Sequence, residues 1–409
     1  MQVRRARRPR GADLPGGGRV ARRATAAVGL AALLLTACDG GGGGGAKSDG
    51  KQATKSPASV ITVKPGSGGA AASPGDRVRV HSSGGRLVDI RVSAPDTDEF
   101  GGSLSADGHT WTSSALLAPA TKYTVVARAQ DADGKTVTRR TTLATARART
   151  FVGEYSPEKG ATVGVGMPVS VAFDKPVRDK AAVERRLSVT TSPHVDGAWS
   201  WVKDHSGKDR VDYRPRGYWT PGTEVTLRMA LSGVDAGGGV YGTQQRVVRF
   251  HVGHAVVSTV DTHRKTMTVK EDGKVLRTLP VSSGKPGFET WNGTMVVLEK
   301  VPSIRMNSRT VGIFGPEAYN LGSVKWAVRL TPSGTFVHAA PWNAGKFGRV
   351  NGSHGCIGMS TSDARWFFGH VHLGDPVTVV HSKDPVAEGN GYGDWNVDWA
   401  TWRSGSALS

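Results

Sequence analysis

The sequence predicts a mainly β chain: two antiparallel sandwiches, then a third β-rich domain with one or two short helices. Three observations carry this. Turn signals recur about every ten positions, the spacing of short strands joined by tight loops. Glycine makes up 55 of the 409 residues. Long runs with a 3.6-residue apolar period are scarce, and a chain of this length exceeds what one core serves.

The elements follow in order. Residues 1–23 hold eight arginines and one acid, Asp13, and residues 24–37 are small or apolar apart from Thr25 and Thr36. A basic start before an apolar run too short to span a bilayer is the pattern of a cleaved export signal, assigned here to 1–37. The run ends in Leu35-Thr36-Ala37-Cys38, which resembles the bacterial lipobox; that resemblance implies a diacylglycerol on the Cys38 thiol and a lipid anchor in the membrane. Residues 38–57 contain the six glycines Gly40 to Gly45 and then mostly polar residues. Such a segment buries no core and predicts a flexible tether.

Residues 58–146 and 151–252 each alternate in short runs. Tyr123 to Ala129 meets Asp133-Gly134 and then Thr136-Val137-Thr138, a hairpin signal in which both central turn residues favour positive φ. Val169 to Phe173, Val211 to Tyr213 and Val225 to Met229 repeat the rhythm in the second unit, with Pro221-Gly222 as a turn. Two units of this size and spacing predict immunoglobulin-like sandwiches, without a disulfide because neither holds a cysteine. Neither shows a catalytic constellation, so they read as spacers.

The third domain is assigned to 254–381. Ala255–Val260, Thr266–Val269, Val275–Val281, Thr294–Leu298, Thr335–Val337 and Val377–Val380 read as strands, with Asp272-Gly273 as a turn. Ser360-x-x-Asp363 is a capping box that opens a helix through Phe368. In the tail, 382–409, Trp395, Trp399 and Trp402 are spaced to share one helical face and predict docking on the third domain.

The formal charge is +19, of which the export segment carries seven. A basic surface suits an anionic wall or lipid. It would equally suit nucleic acid, but no zinc-finger, RNA-recognition or helix-turn-helix pattern is present, so no nucleic-acid partner is expected. No cofactor is expected either. His370 and His372 lack a third partner at metal-ligand spacing, which leaves no metal site.

The chemistry concentrates at Cys356. A thiol attacks as thiolate and needs a base. His338 ends a strand 18 residues upstream, and His354 stands two residues before the cysteine, on the same side of an extended run. Gly355 lets the backbone approach a ligand, and the Gly355 and Cys356 amides are candidate oxyanion donors. No acid closely follows His338, so a backbone carbonyl, that of Ala339, is the expected partner of its second ring nitrogen.

His338 with Ser353-His354-Gly355-Cys356 resembles the L,D-transpeptidase catalytic domain, the YkuD family. Met306, Val337 to Trp342, the domain order and the tryptophan-rich tail are similar to actinobacterial lipoprotein members with two immunoglobulin-like domains. The resemblance implies Cys356 as nucleophile, His338 as base, and His354 as a supporting group. It places Ser333 and Gly334 along a donor groove and Tyr319 on a lid, with Met306 and Ser353 on the substrate side. It implies peptidoglycan stem peptides as donor and acceptor, 3→3 cross-links, release of D-alanine, covalent inhibition by carbapenem-type β-lactams, and a lipid-anchored location outside the membrane. Gly358 departs from the Asn or Arg often found there, which removes a side chain from the substrate side. Ala339 replaces the serine of some relatives. The competing readings are a cysteine peptidase using water as acceptor, disfavoured because in papain-like enzymes the cysteine precedes its histidine, and an inactive wall-binding lipoprotein.

Overall fold

The computed structural model describes residues 60–66, 71–95 and 100–409. The export signal, Cys38 and the tether lie outside the described residues. In the first domain a sheet of Val60–Lys64, Arg79–Ser83, Thr110–Ser113 and Gly102–Leu104 packs on a second sheet of Arg86–Ser93, Lys122–Gln130 and Thr136–Ala144. Alternate positions such as Tyr123, Val125 and Ala127 turn inward to meet Val80, Leu87 and Trp111. The hairpin at Asp133-Gly134 is wider than expected. Only Gly134 has positive φ (80°), and the Asp131 carboxylate accepts the amides of Asp133 (3.1 Å) and Lys135 (2.8 Å). Asp272-Gly273 is the tight two-residue turn, with both φ values positive (48° and 81°).

The second domain pairs two four-stranded sheets around Phe151, Phe173, Trp219, Leu227 and Phe250. Its Pro221-Gly222 turn closes with the Thr223 amide donating to the Thr220 carbonyl at 3.2 Å, Gly222 taking φ 80°.

The third domain contains β1 (Val256–Asp261), β2 (Thr266–Glu271), β3 (Lys274–Pro280), β4 (Gly293–Val296), β5 (Glu299–Asn307), β6 (Asn320–Arg329), β7 (Phe336–Ala339), β8 (Ile357–Met359), α1 (Thr361–His370), β9 (Pro376–Val380) and α2 (Trp399–Ser404). One sheet runs β3-β2-β1-β9-β4, and the other runs β5-β6-β7-β8 with β7 and β8 parallel. Val260, Met267, Val337, Ile357, Met359 and Phe367 fill the space between them. The serine half of the capping box at α1 is present: the Ser360 hydroxyl accepts the Asp363 amide (3.1 Å), while the carboxylate takes that hydroxyl (2.7 Å) in place of the Ser360 amide.

Two further features differ from the sequence reading. The long β5–β6 hairpin was not expected, because β5 carries Pro302 and a largely exposed, non-alternating face. The tail docks on the third domain through Val386, which joins the core, and Asn396, which bonds the Thr294 backbone. Its end crosses to the second sandwich. There Trp395, Trp399 and Trp402 share no single helix; they surround the Arg214 guanidinium at 4.9, 5.5 and 4.5 Å. A cation buried among indoles explains the spacing better than a common helical face. Beside it Arg210 pairs with Asp212 at 2.7 Å and Asp394 at 3.6 Å, all three buried. Burial pushes the Asp394 carboxyl well above its usual range.

Candidate active site

Register places the reacting groups. In the parallel pair β7–β8, Val337 lies opposite Ile357 and His338 opposite Gly358. Val337 and Ile357 point into the core, so His338 and Phe336 project from the other face. Cys356, just before β8, joins Phe336, Met306, Val324 and Ala327 in a small apolar cluster on that face. Above it, residues 308–319 between β5 and β6 form a lid of two short 3-10 turns.

The cavity beneath the lid has a volume of about 260 Å³. His338, His354, Cys356, Ser353, Met306, Tyr319 and Trp342 line it. His338 is buried, and its Nδ1–H donates to the Ala339 carbonyl at 2.8 Å. A carbonyl only accepts, so this bond fixes the tautomer and leaves Nε2 as the basic nitrogen. Burial holds this imidazole below its usual pKa, opposed by the bond to Ala339. Trp342 stacks on the ring at 5.9 Å.

Cys356 is buried, and burial pushes its thiol up to about 11, with smaller downward pulls from the Phe336 backbone and Arg329. The resting thiol is therefore neutral at pH 7. It points to the Gly334 carbonyl at 3.5 Å rather than to His338. The sulfur and the His338 imidazole belong to residues that line the same cavity. Tyr319 is pushed up to about 12 by burial, then by the nearby Cys356.

The remaining candidates divide. Ser353 accepts the Gly355 amide (3.2 Å) and donates to the Cys356 carbonyl (2.6 Å), bracing the loop that presents the nucleophile. Gly355 takes φ 108°, and its amide is committed to Ser353. The expected pair of oxyanion donors thus reduces to the Cys356 amide, which has no acceptor among the described residues. Gly334 has φ 104° and sits against Val311 of the lid, where a Cβ would come within 2.5 Å of that side chain. Ser333 does not line the cavity, since the tail residue Asn390 binds both its amide and its hydroxyl. At Gly358 an added Cβ would meet the Ala340 methyl at 2.9 Å, and the backbone exchanges two bonds with Ser282.

Sequence reasoning missed Glu317 and Lys285. His354 Nε2–H and Lys285 Nζ each donate to Glu317 Oε2 at 2.6 Å. These residues come from three separate loops, and no local spacing signals their meeting.

A model of the L,D-transpeptidase catalytic domain (YkuD) matches residues 255–379, and a bacterial Ig domain model matches residues 69–235, running across both sandwiches. L,D-transpeptidase 2 of Mycobacterium tuberculosis is 35% identical over 333 residues, covering 81% of this chain and 80% of that protein. L,D-transpeptidase 5 of the same species is 34% identical over 357 residues, covering 86% and 78%. A solved structure of LD transpeptidase LdtMt1 in complex with imipenem is 37% identical, covers 56% of this chain and 99% of that one, and superposes with a TM-score of 0.49. A fold of Ig-like and YkuD domains with a Cys-His cavity defines an acyltransferase. The chain belongs to the L,D-transpeptidases.

Proposed function

We propose that this enzyme forms 3→3 cross-links in peptidoglycan through a thioester on Cys356. The observation that carries the reading is the fixed His338 tautomer, whose free Nε2 belongs to the same cavity as the sulfur. Sγ attacks the L-centre carbonyl of the diamino acid at position three of a tetrapeptide stem. The C–S bond forms, the C–N bond to D-alanine breaks, and the thiol proton passes through His338 to the leaving amine. The Cys356 amide, left without an acceptor among the described residues, is the donor this reading gives to the developing oxyanion. An acceptor stem's amine then attacks the thioester, the C–S bond breaks, and the amine proton returns through His338 to the sulfur. A neutral thiol–imidazole pair suits this exchange, because each half-reaction carries one proton between the sulfur and an amine nitrogen through the same imidazole.

The same sulfur opens a carbapenem β-lactam to a covalent adduct. Leu35-Thr36-Ala37-Cys38 and the tether support a lipid-anchored place outside the cytoplasmic membrane; labelling with palmitate, lost in Cys38→Ala, tests it.

Incubation of residues 58–409 with a tetrapeptide stem, followed by D-alanine release and product mass, tests the activity. Cross-linked dimer with released D-alanine is expected. Tripeptide without dimer would assign hydrolysis instead, and no D-alanine would contradict both.

A further inference from the structure

We propose that Glu317 is a positioning residue for this reaction: its carboxylate pins the lid to His354 and Lys285 and so fixes the outer wall of the substrate cavity. The outer part of the lid is held little by burial. Phe314 is 65% exposed and Val311 37%. Its internal bonds centre on Ser308, which exchanges backbone and hydroxyl bonds with Tyr319 and Ile313. Those bonds close the loop on itself without tying it to the rest of the site.

Besides Tyr319, which packs on the apolar cluster, two contacts tie it outward. Val311 rests against Gly334, whose carbonyl accepts the resting thiol. Glu317 receives the Lys285 ammonium and the His354 ring, both at 2.6 Å. His354 is also held between rings, Phe288 at 4.7 Å and the lid's Tyr319 at 5.2 Å. One carboxylate thus joins three loops: the lid, the segment after β3 and the loop that presents the nucleophile. His354 and Tyr319 line the cavity; Glu317 stands behind them. It acts through them on substrate binding and not on the bond that breaks.

Glu317 is 42% exposed on its side chain, which bounds the size of the effect. Exposed pairs contribute little, a change of at most about fivefold, and salt weakens them.

The inference rests on the family activity and is tested on two independent readouts. In steady-state D-alanine release from a tetrapeptide stem, Glu317→Gln should raise KM about two- to fivefold with kcat unchanged. Lys285→Met should raise it by a smaller factor, and the double variant should resemble Glu317→Gln alone. Added salt to about 0.5 M should raise the wild-type KM and leave that of Glu317→Gln in place. A fall in kcat with KM unmoved, or fully additive single effects, would overturn the proposal. Amide hydrogen exchange across residues 312–318 reads the lid without chemistry. Faster exchange there in Glu317→Gln supports the tie even if the chosen stem is not a substrate, and unchanged exchange overturns it.

Discussion

His338 and His354 flank the same sulfur on walls of opposite character. His338 stands on a sheet strand, buried, with a carbonyl as its ring's only polar partner among the described residues. His354 stands on a loop, partly exposed, between two aromatic rings and against a carboxylate. The first environment keeps the imidazole neutral and fixes which nitrogen is free. The second commits Nε2–H to Glu317 and uses the ring as a wall. One residue type therefore does two jobs, and the difference lies in what each ring's second nitrogen meets.

This contrast orders the expected effects. Cys356→Ala should abolish covalent capture of a carbapenem, read as loss of the adduct by intact-protein mass. His338→Gln keeps a polar group of similar size but no base, and should slow capture about 10²–10⁴-fold. His354→Asn should change capture far less, mainly through binding, which would sharpen the distinction between base and wall.

Acid offers another separation. His338 has a depressed pKa, so at pH 6.5, where an ordinary histidine is half protonated, it is more than half neutral. Capture should persist as pH falls through 6.5 and fail only at lower pH. The same shift makes the unfolded chain bind its proton first. Folded stability contributed at His338 is then fully present above the usual histidine value and is lost as pH falls toward the depressed one. Thermal unfolding followed from pH 7.5 to 5 should show this loss, and His338→Gln should flatten it.

Gly334→Ala strikes the apolar side of the lid. It forces a side chain into φ 104° and against Val311, and should cost about 1–3 kcal/mol of stability, read by denaturant unfolding. Its effect on the slow chemical step should be smaller than that of His338→Gln.

Much of the wall built on the sheet was legible in the sequence. Val337 and His338 alternate as a strand does, and the unpaired Cys356 in a Ser-His-Gly-Cys run has a chemistry of its own. The Ala339 carbonyl followed because no acid stands near His338. The loop-built wall was not legible. Glu317 lies 32 residues from Lys285 and 37 from His354, with no periodicity linking them. The β5–β6 hairpin that carries the lid lacks alternation because most of its face is exposed. The tryptophan end of the tail was misread because Trp395, Trp399 and Trp402 converge on Arg214, a cation supplied by another domain. Long-range polar contacts leave no local pattern, whereas half-buried strands do.

The division of labour between the two histidines meets its most direct test in one experiment. Wild type, His338→Gln and His354→Asn are mixed with a carbapenem, and the Cys356 adduct is followed by intact mass over time at pH 7. Adduct forming at similar rates in wild type and His354→Asn, and at least about a hundredfold slower in His338→Gln, is the expected result. Near-normal capture in His338→Gln, with the loss appearing in His354→Asn, would contradict it.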